Sequence, residues 1–373
     1  MMKKVIVVFT RGDSRKLSTW SNVPYFLTKT LKQQGFEVIH IDVSYKRLSR
    51  LFRYVNIFNK IFINRRTVYE FNRTGINAAL VDWKMRRVVR KYKSSILFIS
   101  LGFSFCPYKY TDKTMMLGDW SIDYMLEKFL QRKPDKLELK AIERERKFID
   151  NVQFMVSLFP DMAKWMENKY GRDVHYCGNV VNSVFEPNAD SAIAQKIDSS
   201  SILFIGKPKY REGAKILIET VEKVKIKYPE VKLNIIGMSD GDFENLPDNV
   251  ICYGYLDKSD TTDCVHYYKL LNEAKIVVNT TAGWGAFSSL VEAMYWYTPI
   301  ITTPYSSFVS TFGKSIDFGL YAKELELKSL YDCIQAIFEM DYNHYMKLCT
   351  NARESVQHFT WDEYIKKILQ LSL

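Results

Sequence analysis

The sequence predicts an α/β protein of two doubly wound units, and three observations carry that expectation. The first 43 residues run strand, loop, helix, glycine, strand, the usual opening of a doubly wound domain. The same plan restarts after residue 200, with ILFI at 202–205, a Gly-Lys-Pro turn and a long helical stretch. Residues 276–307 (IVVNTTAGWGAFSSLVEAMYWYTPIITTPYSS) then read as one strand–turn–helix–strand unit. A chain of 373 residues is long enough for two such domains with ample cores.

In order, KVIVVF at 4–9 is the first strand, and the loop after it holds Arg11-Gly12-Asp13-Ser14. Gly12 is the one glycine there able to approach a phosphate. A helix starts near Pro24 and stops at Gly35, followed by the strand EVIHIDV at 37–43. Residues 45–66 place Leu48, Leu51, Phe52, Val55, Phe58 and Phe62 at helical spacing, with Lys and Arg mostly on the rest of the wheel. A second basic helix covers about 78–93. Strands follow at 96–101, 113–117 and 154–159, with a charged helix at 134–151. Asp119 follows the 113–117 strand, where it either binds a sugar hydroxyl or caps the helix starting near Ser121.

Residues 187–200 (PNADSAIAQKIDSS) are polar and lack a strong apolar pattern, so the domain boundary is expected there. Beyond them come the strand at 202–205, a helix to about 228, strands at 232–236 and 250–253, and a helix at 264–274. The Asp240-Gly241-Asp242 sequence is formally Asp-x-Asp but reads as a turn rather than a metal site. In the 276–307 unit, Gly283 and Gly285 permit close backbone approach to a ligand. The helix after them offers free amides and a positive dipole end, suited to a diphosphate. Glu292 lies further along it, as either a ribose-diol acceptor or a solvated helix residue. Residues 360–373 form an amphipathic last helix.

Composition narrows the class. Hydrophobic residues make up 47% and charged residues 25%, an ordinary globular balance. No run of 18 apolar residues predicts a transmembrane helix, and MMKKVIVVFTRGDS lacks the features of a signal peptide. The six cysteines form no CxxC pair, which suits reduced thiols in a cytosol. The five histidines show no HExxH spacing, so no metal is expected. Net charge is +11, yet residues 46–93 hold fourteen Lys and Arg against Glu70 and Asp82, leaving the rest of the chain at −1. This concentration points to a polyanionic partner. An anionic membrane surface touching residues 45–93 fits better than nucleic acid, for which no motif appears.

Gly283-Trp284-Gly285, Leu290-Val291-Glu292-Ala293-Met294 and Thr298-Pro299-Ile300-Ile301 resemble the donor-site signature of the group 1 (family 4) retaining glycosyltransferases. That resemblance is clearest from residue 202 onward. It implies the GT-B fold, two Rossmann-like domains facing a cleft. Residues 1–186 would be the acceptor side, 187–358 the nucleotide-sugar side, and 359–373 a helix crossing back. Glu292 matches the second of the family's two glutamates. The first falls at Trp284, so the carboxylate that contacts the donor sugar in the family is absent.

Gly206 and Lys207 match the family's Gly-Arg/Lys. Its next cation normally precedes a glycine, where this chain has Glu212-Gly213, with Arg211 one residue earlier. The resemblance implies a donor of UDP or GDP type, no separate cofactor, and a saccharide or lipid-linked acceptor. Lys207 and Arg211 would neutralise the leaving diphosphate, and the amides of Phe287, Ser288 and Ser289 would add donors. A non-catalytic nucleotide-sugar-binding subunit and a nucleotide-sugar isomerase of the same fold stay open at this point. The expected location is cytoplasmic, with the inner face of the membrane as the place where a lipid-linked acceptor is met.

Overall fold

The computed structural model describes residues 4–62, 70–280, 287–323 and 326–372. The chain divides into two units, one of Met1–Gly178 with Tyr364–Leu373 and one of Asn179–Glu363.

The first unit is built on six parallel strands: β1 (Val5–Thr10), β2 (Glu37–Asp42), β3 (Leu97–Leu101), β4 (Thr114–Gly118), β5 (Phe154–Ser157) and β6 (His175–Tyr176). Their order is β2-β1-β3-β4-β5-β6. β3 and β4 are buried at every residue, which is why they read as mainly apolar runs. Helix Gly75–Lys91 covers one face through Val81, Met85 and Val89, packed with Val7, Phe9 and Phe98. Met116, Ile149, Met155 and Met162 join a second cluster, to which helices Lys136–Asn151 and Pro160–Tyr170 contribute. The chain passes from β1 out to β2 and returns on the other side as β3. Strand order therefore reverses between β1 and β3, and their carboxyl ends frame a crevice.

The second unit repeats the plan with β7 (Ser201–Ile205), β8 (Lys232–Ile236), β9 (Val250–Cys252), β10 (Ile276–Asn279), β11 (Ile300–Thr302) and β12 (Gly319–Tyr321). The order is β12-β11-β10-β7-β8-β9, all parallel, so the reversal falls between β7 and β10. Its core joins Ile202, Phe204, Leu217, Val221, Leu233, Ile276, Val278 and Ile334. Both sheets match the two-domain α/β architecture expected of GT-B proteins.

Several segments depart from the sequence reading. The polar stretch 187–200 contains a helix, Ala189–Ile197, whose Asn188 side chain accepts from the amide of Ser191. β12 and the helices Leu327–Phe338 and Tyr342–Val356 complete the second unit. Helix Lys46–Phe62 packs Phe52 against Phe71 at 5.8 Å and leaves Leu48, Leu51, Val55 and Phe58 exposed, as a surface-facing apolar stripe requires. The last helix, Trp361–Ser372, buries Tyr364, Ile365 and Ile368, and Lys367 Nζ donates to the carbonyl of Cys177 at 3.2 Å. No helix among the described residues is long and apolar enough to cross a membrane.

Candidate functional site

The reversal between β7 and β10 assembles the strongest candidate site. Gly206 closes β7 by donating its amide to the carbonyl of Ile236 at 2.9 Å. A side chain there would put Cβ 2.6 Å from the Phe204 ring, and Gly237, at φ +98°, leaves no room for Cβ beside the Gly206 carbonyl. Lys207 follows, exposed. Helix Arg211–Lys227 then runs back along the sheet. At Gly213 a Cβ would lie 2.2 Å from the backbone oxygen of Thr280, just past β10, and Thr280 Oγ1 donates to the Gly213 carbonyl at 2.9 Å. This close approach is what glycine permits, and it brings the first turn of that helix to the end of β10. Arg211 in that turn is half exposed, with Nε 3.9 Å from Glu212 and Glu212 itself largely in solvent. Two cations thus stand at one end of the sheet without a close buried partner among the described residues.

Gly283 and Gly285 lie outside the described residues. The helix after them is Ser288–Tyr295, and among the described residues no side chain caps its start at Phe287. Its first-turn amides have no acceptor within the helix. Phe287 is buried and packs on Phe308 at 5.5 Å, which fixes the helix entry, while Ser288 is exposed and Ser289 partly so.

Glu292 is buried, at 4% exposure, and not a solvated helix residue. Lys258 Nζ donates to its two oxygens at 2.5 and 2.7 Å. The hydroxyls of Tyr267 and Tyr268 donate to the same two oxygens at 2.9 and 2.8 Å. These contacts occupy about the four acceptor directions a carboxylate has. A ribose diol reaches Glu292 only by replacing one of these donors. Burial, followed by the charge of Glu292, holds both tyrosine hydroxyls well above their usual pKa, so they remain donors. Sequence reasoning missed Lys258, Tyr267 and Tyr268, which lie 24 to 34 residues before Glu292 with no spacing signal.

In the first unit, Gly12 adopts φ +103° and donates its amide to Asp42 Oδ1 at 2.9 Å, so an anion at that amide competes with a carboxylate. Asp119 does not cap the next helix; the Ser121 hydroxyl does, accepting from Tyr124 N at 3.1 Å. Asp119 instead accepts from Trp20 Nε1 at 3.3 Å and faces a pocket of about 380 Å³. Asp240–Asp242 is a single turn in which Ser239 donates to Asp242. Among the described residues no group of three His, Cys, Asp or Glu is placed to hold a metal.

Residues 199–339 match the family described as Glycosyl transferases group 1. The second unit carries a group 1 glycosyltransferase domain. The match begins just before β7 and includes the cation-bearing turn, the β10 end and Glu292. No curated protein sequence matches the chain. Among solved structures, sucrose-phosphate synthase from Thermosynechococcus elongatus superposes with a TM-score of 0.70 at 17% identity, over 99% of this chain and 98% of that one. Anabaena HepE, in complex with UDP and glucose, gives 0.63 at 13% identity, over 98% of each chain. A variant of S. aureus TarM, in a complex that includes UDP, gives 0.57 at 19% identity, over 79% of this chain and 58% of TarM. At these identities the likeness is one of fold. The glycosyltransferase domain and the GT-B architecture are thus reached by separate routes.

Proposed function

We propose that the chain transfers a sugar, with retention of configuration, from a nucleotide-diphosphate sugar to a saccharide or lipid-linked acceptor. The observation that carries this is the reversal point of the second sheet. There Lys207, Arg211 and the uncapped helix start at Ser288 converge on one sheet end inside a group 1 glycosyltransferase domain. Such an end suits a diphosphate. The UDP held by HepE and TarM favours uridine over guanosine as the base. In the proposed reaction the bond from the anomeric carbon to the diphosphate breaks. The acceptor oxygen bonds to the same face, and its proton passes to the leaving diphosphate. Lys207 and Arg211 stabilise the charge that develops on that group, and Asp119 receives a hydrogen bond from an acceptor hydroxyl in the first unit. Glu292 enters as the ribose acceptor, with Gly206 and the amides of Phe287, Ser288 and Ser289 lining the phosphates.

The test is binding and product analysis on the purified chain. Wild type is expected to bind UDP more tightly than uridine. Lys207→Gln with Arg211→Gln is expected to lose about 2–4 kcal/mol of that preference, roughly 30- to 1000-fold, while uridine binding is unchanged. A double variant that keeps its preference for the diphosphate places the cations elsewhere. NMR of the product decides stereochemistry, and an inverted anomeric centre ends the retaining assignment. UDP binding without transfer to any acceptor favours a non-catalytic subunit, and interconversion of the nucleotide sugar itself favours an isomerase.

The acceptor's setting is proposed from helix Lys46–Phe62. Leu51 is 61% exposed, Val55 45% and Phe58 56%, while Arg47, Arg50 and Arg53 are exposed on the same helix. An apolar stripe beside cations suits the surface of an anionic bilayer, on its cytoplasmic side. Co-sedimentation is expected with anionic vesicles at low salt and to fall at high salt. Changing Arg47, Arg50 and Arg53 to Gln is expected to weaken it by about 3 kcal/mol, roughly a hundredfold, at unchanged melting temperature. Equal sedimentation with neutral and anionic vesicles removes the electrostatic basis.

A further inference from the structure

The first unit has its own reversal point, between β1 and β3, and the 380 Å³ pocket lies there. Thr10 and Arg11 leave β1, Gly102 to Phe105 leave β3, and Asp119 leaves β4. Arg11 is the distinctive group. Its Nη2 donates to Ser104 Oγ at 2.8 Å and more weakly to the Asn72 carbonyl at 3.4 Å, and its guanidinium lies 5.6 Å from the Phe105 ring centre. Two of its five N–H directions are used, and among the described residues no carboxylate forms an ion pair with it.

The pocket holds other charges as well, and Glu70 and Glu145 act on Arg11 through space without a hydrogen bond to it. Arg73 stands 3.8 Å from Glu70, and Arg144 donates to the Arg73 carbonyl at 2.5 Å. Glu145, buried and accepting the amide of Ile122 at 2.7 Å, has its pKa pushed up to about 7 by burial, so it carries only part of a charge at neutral pH. Asn72 Oδ1 is buried without a partner among the described residues. Trp20, Trp120 and Phe148 supply flat apolar walls. Aromatic walls with carboxylate and amide acceptors suit the face and hydroxyls of a sugar ring. A cation with spare donors in a planar fork suits an anionic substituent on that ring.

We propose that this pocket binds a saccharide unit bearing an anionic group, a carboxylate or a phosphate, which Arg11 holds. Resting on the acceptor assignment above, this makes the acceptor of the transfer an acidic saccharide. Arg11 reads the charge, and Asp119 and Asn72 take hydroxyls.

The experiment uses the full chain without nucleotide and titrates methyl glucoside, methyl glucuronide, glucose 6-phosphate and inorganic phosphate by ligand-observed NMR. UDP binding is measured in parallel. The glucuronide or the phosphosugar is expected to bind at least about tenfold more tightly than the neutral glucoside, and which of the two binds assigns the anion. Arg11→Gln is expected to erase that preference with UDP binding intact, and Arg11→Lys to keep part of it. Equal affinity of wild type for charged and neutral sugars overturns the proposal, and so does an Arg11→Gln variant that still discriminates. Inorganic phosphate binding as tightly as the phosphosugar overturns the saccharide component. If Arg11→Gln does not fold, the wild-type preference and Arg11→Lys decide. Discrimination among sugars without UDP binding leaves this inference standing and fails the donor assignment; UDP binding without discrimination does the reverse.

Discussion

Glu292→Ala is expected to lower the unfolding free energy by roughly 3–5 kcal/mol, the cost of breaking a buried ion pair from one side. The physical reason is what the substitution strands. Lys258 Nζ lies 4.0 and 5.0 Å from the Tyr267 and Tyr268 ring centres, and its side chain is 10% exposed. Without Glu292 an ammonium and two phenol hydroxyls lose their acceptor in a nearly dry setting. Tyr268 also accepts the amide of Val184 at 2.8 Å and stacks on Trp296 at 5.0 Å, so the damage spreads to the segment entering the unit. Removing both charges, Lys258→Met with Glu292→Leu, is expected to recover much of the loss, because the cost lies in the unpaired charge more than in the pair's net worth. Chemical denaturation measures both. A loss below about 1 kcal/mol for Glu292→Ala would mean that Lys258 reaches water and the network is not closed. Glu292→Gln keeps the shape but also leaves Lys258 without its counter-charge, so its ligand binding is measured where denaturation shows the variant folded. If the ribose diol displaces a donor, this variant weakens UDP by about tenfold; an unchanged dissociation constant leaves Glu292 a purely internal role.

That network shows where the sequence is legible. β3, β7 and β10 are central strands covered on both faces, so each is dominated by β-branched and apolar residues, with only Ser100, Ser201 and Asn279 polar. β12 is three residues at a sheet edge and offers no run to read. Helix Ala189–Ile197 was hidden by its polar residues, one of which, Lys196, is buried outright. In helix Leu327–Phe338, by contrast, Leu330, Ile334 and Ile337 do carry a helical spacing in the sequence. At the site, Lys207 lies just past a strand and Arg211 opens the next helix, a local pattern. Arg11 also follows a strand directly, but its meaning depends on strand order, because only the reversal between β1 and β3 makes that loop a pocket wall. Lys258 meets Glu292 across 34 residues, through the turn before helix Thr261–Glu273, and no sequence spacing encodes such a meeting.

Lys196 should make the stability of the fold rise with pH. Its side chain is fully buried, and Nζ donates to the carbonyls of Asn272 at 2.6 Å and, more weakly, Leu271 at 3.4 Å, at the end of helix Thr261–Glu273. Those acceptors are neutral, so burial dominates and lowers its pKa from 10.5 to about 7. The unfolded chain therefore holds this proton more firmly than the folded one. Between about pH 7 and 10.5 unfolding takes up a proton, and the folding penalty shrinks as pH rises through that window. Below pH 7 both states are charged and the penalty is complete. Cys349, which faces the same cluster, has its thiol pushed up to about 11 by burial, so it stays neutral over most of the range. Lys275, also lowered by burial and bonded to the Ile197 carbonyl at 2.7 Å, shifts in the same direction and is held constant by comparing variants. Lys196→Met keeps the length of the side chain and removes the titration. Wild type is expected to gain about 3 kcal/mol on the variant between pH 7 and pH 9.5, read as the change in their difference in unfolding free energy. At pH 6.5 the variant should be the more stable of the two if the desolvated charge outweighs the lost carbonyl contacts. A difference that stays flat across that interval means that Lys196 remains protonated in the fold, with water reaching its amine.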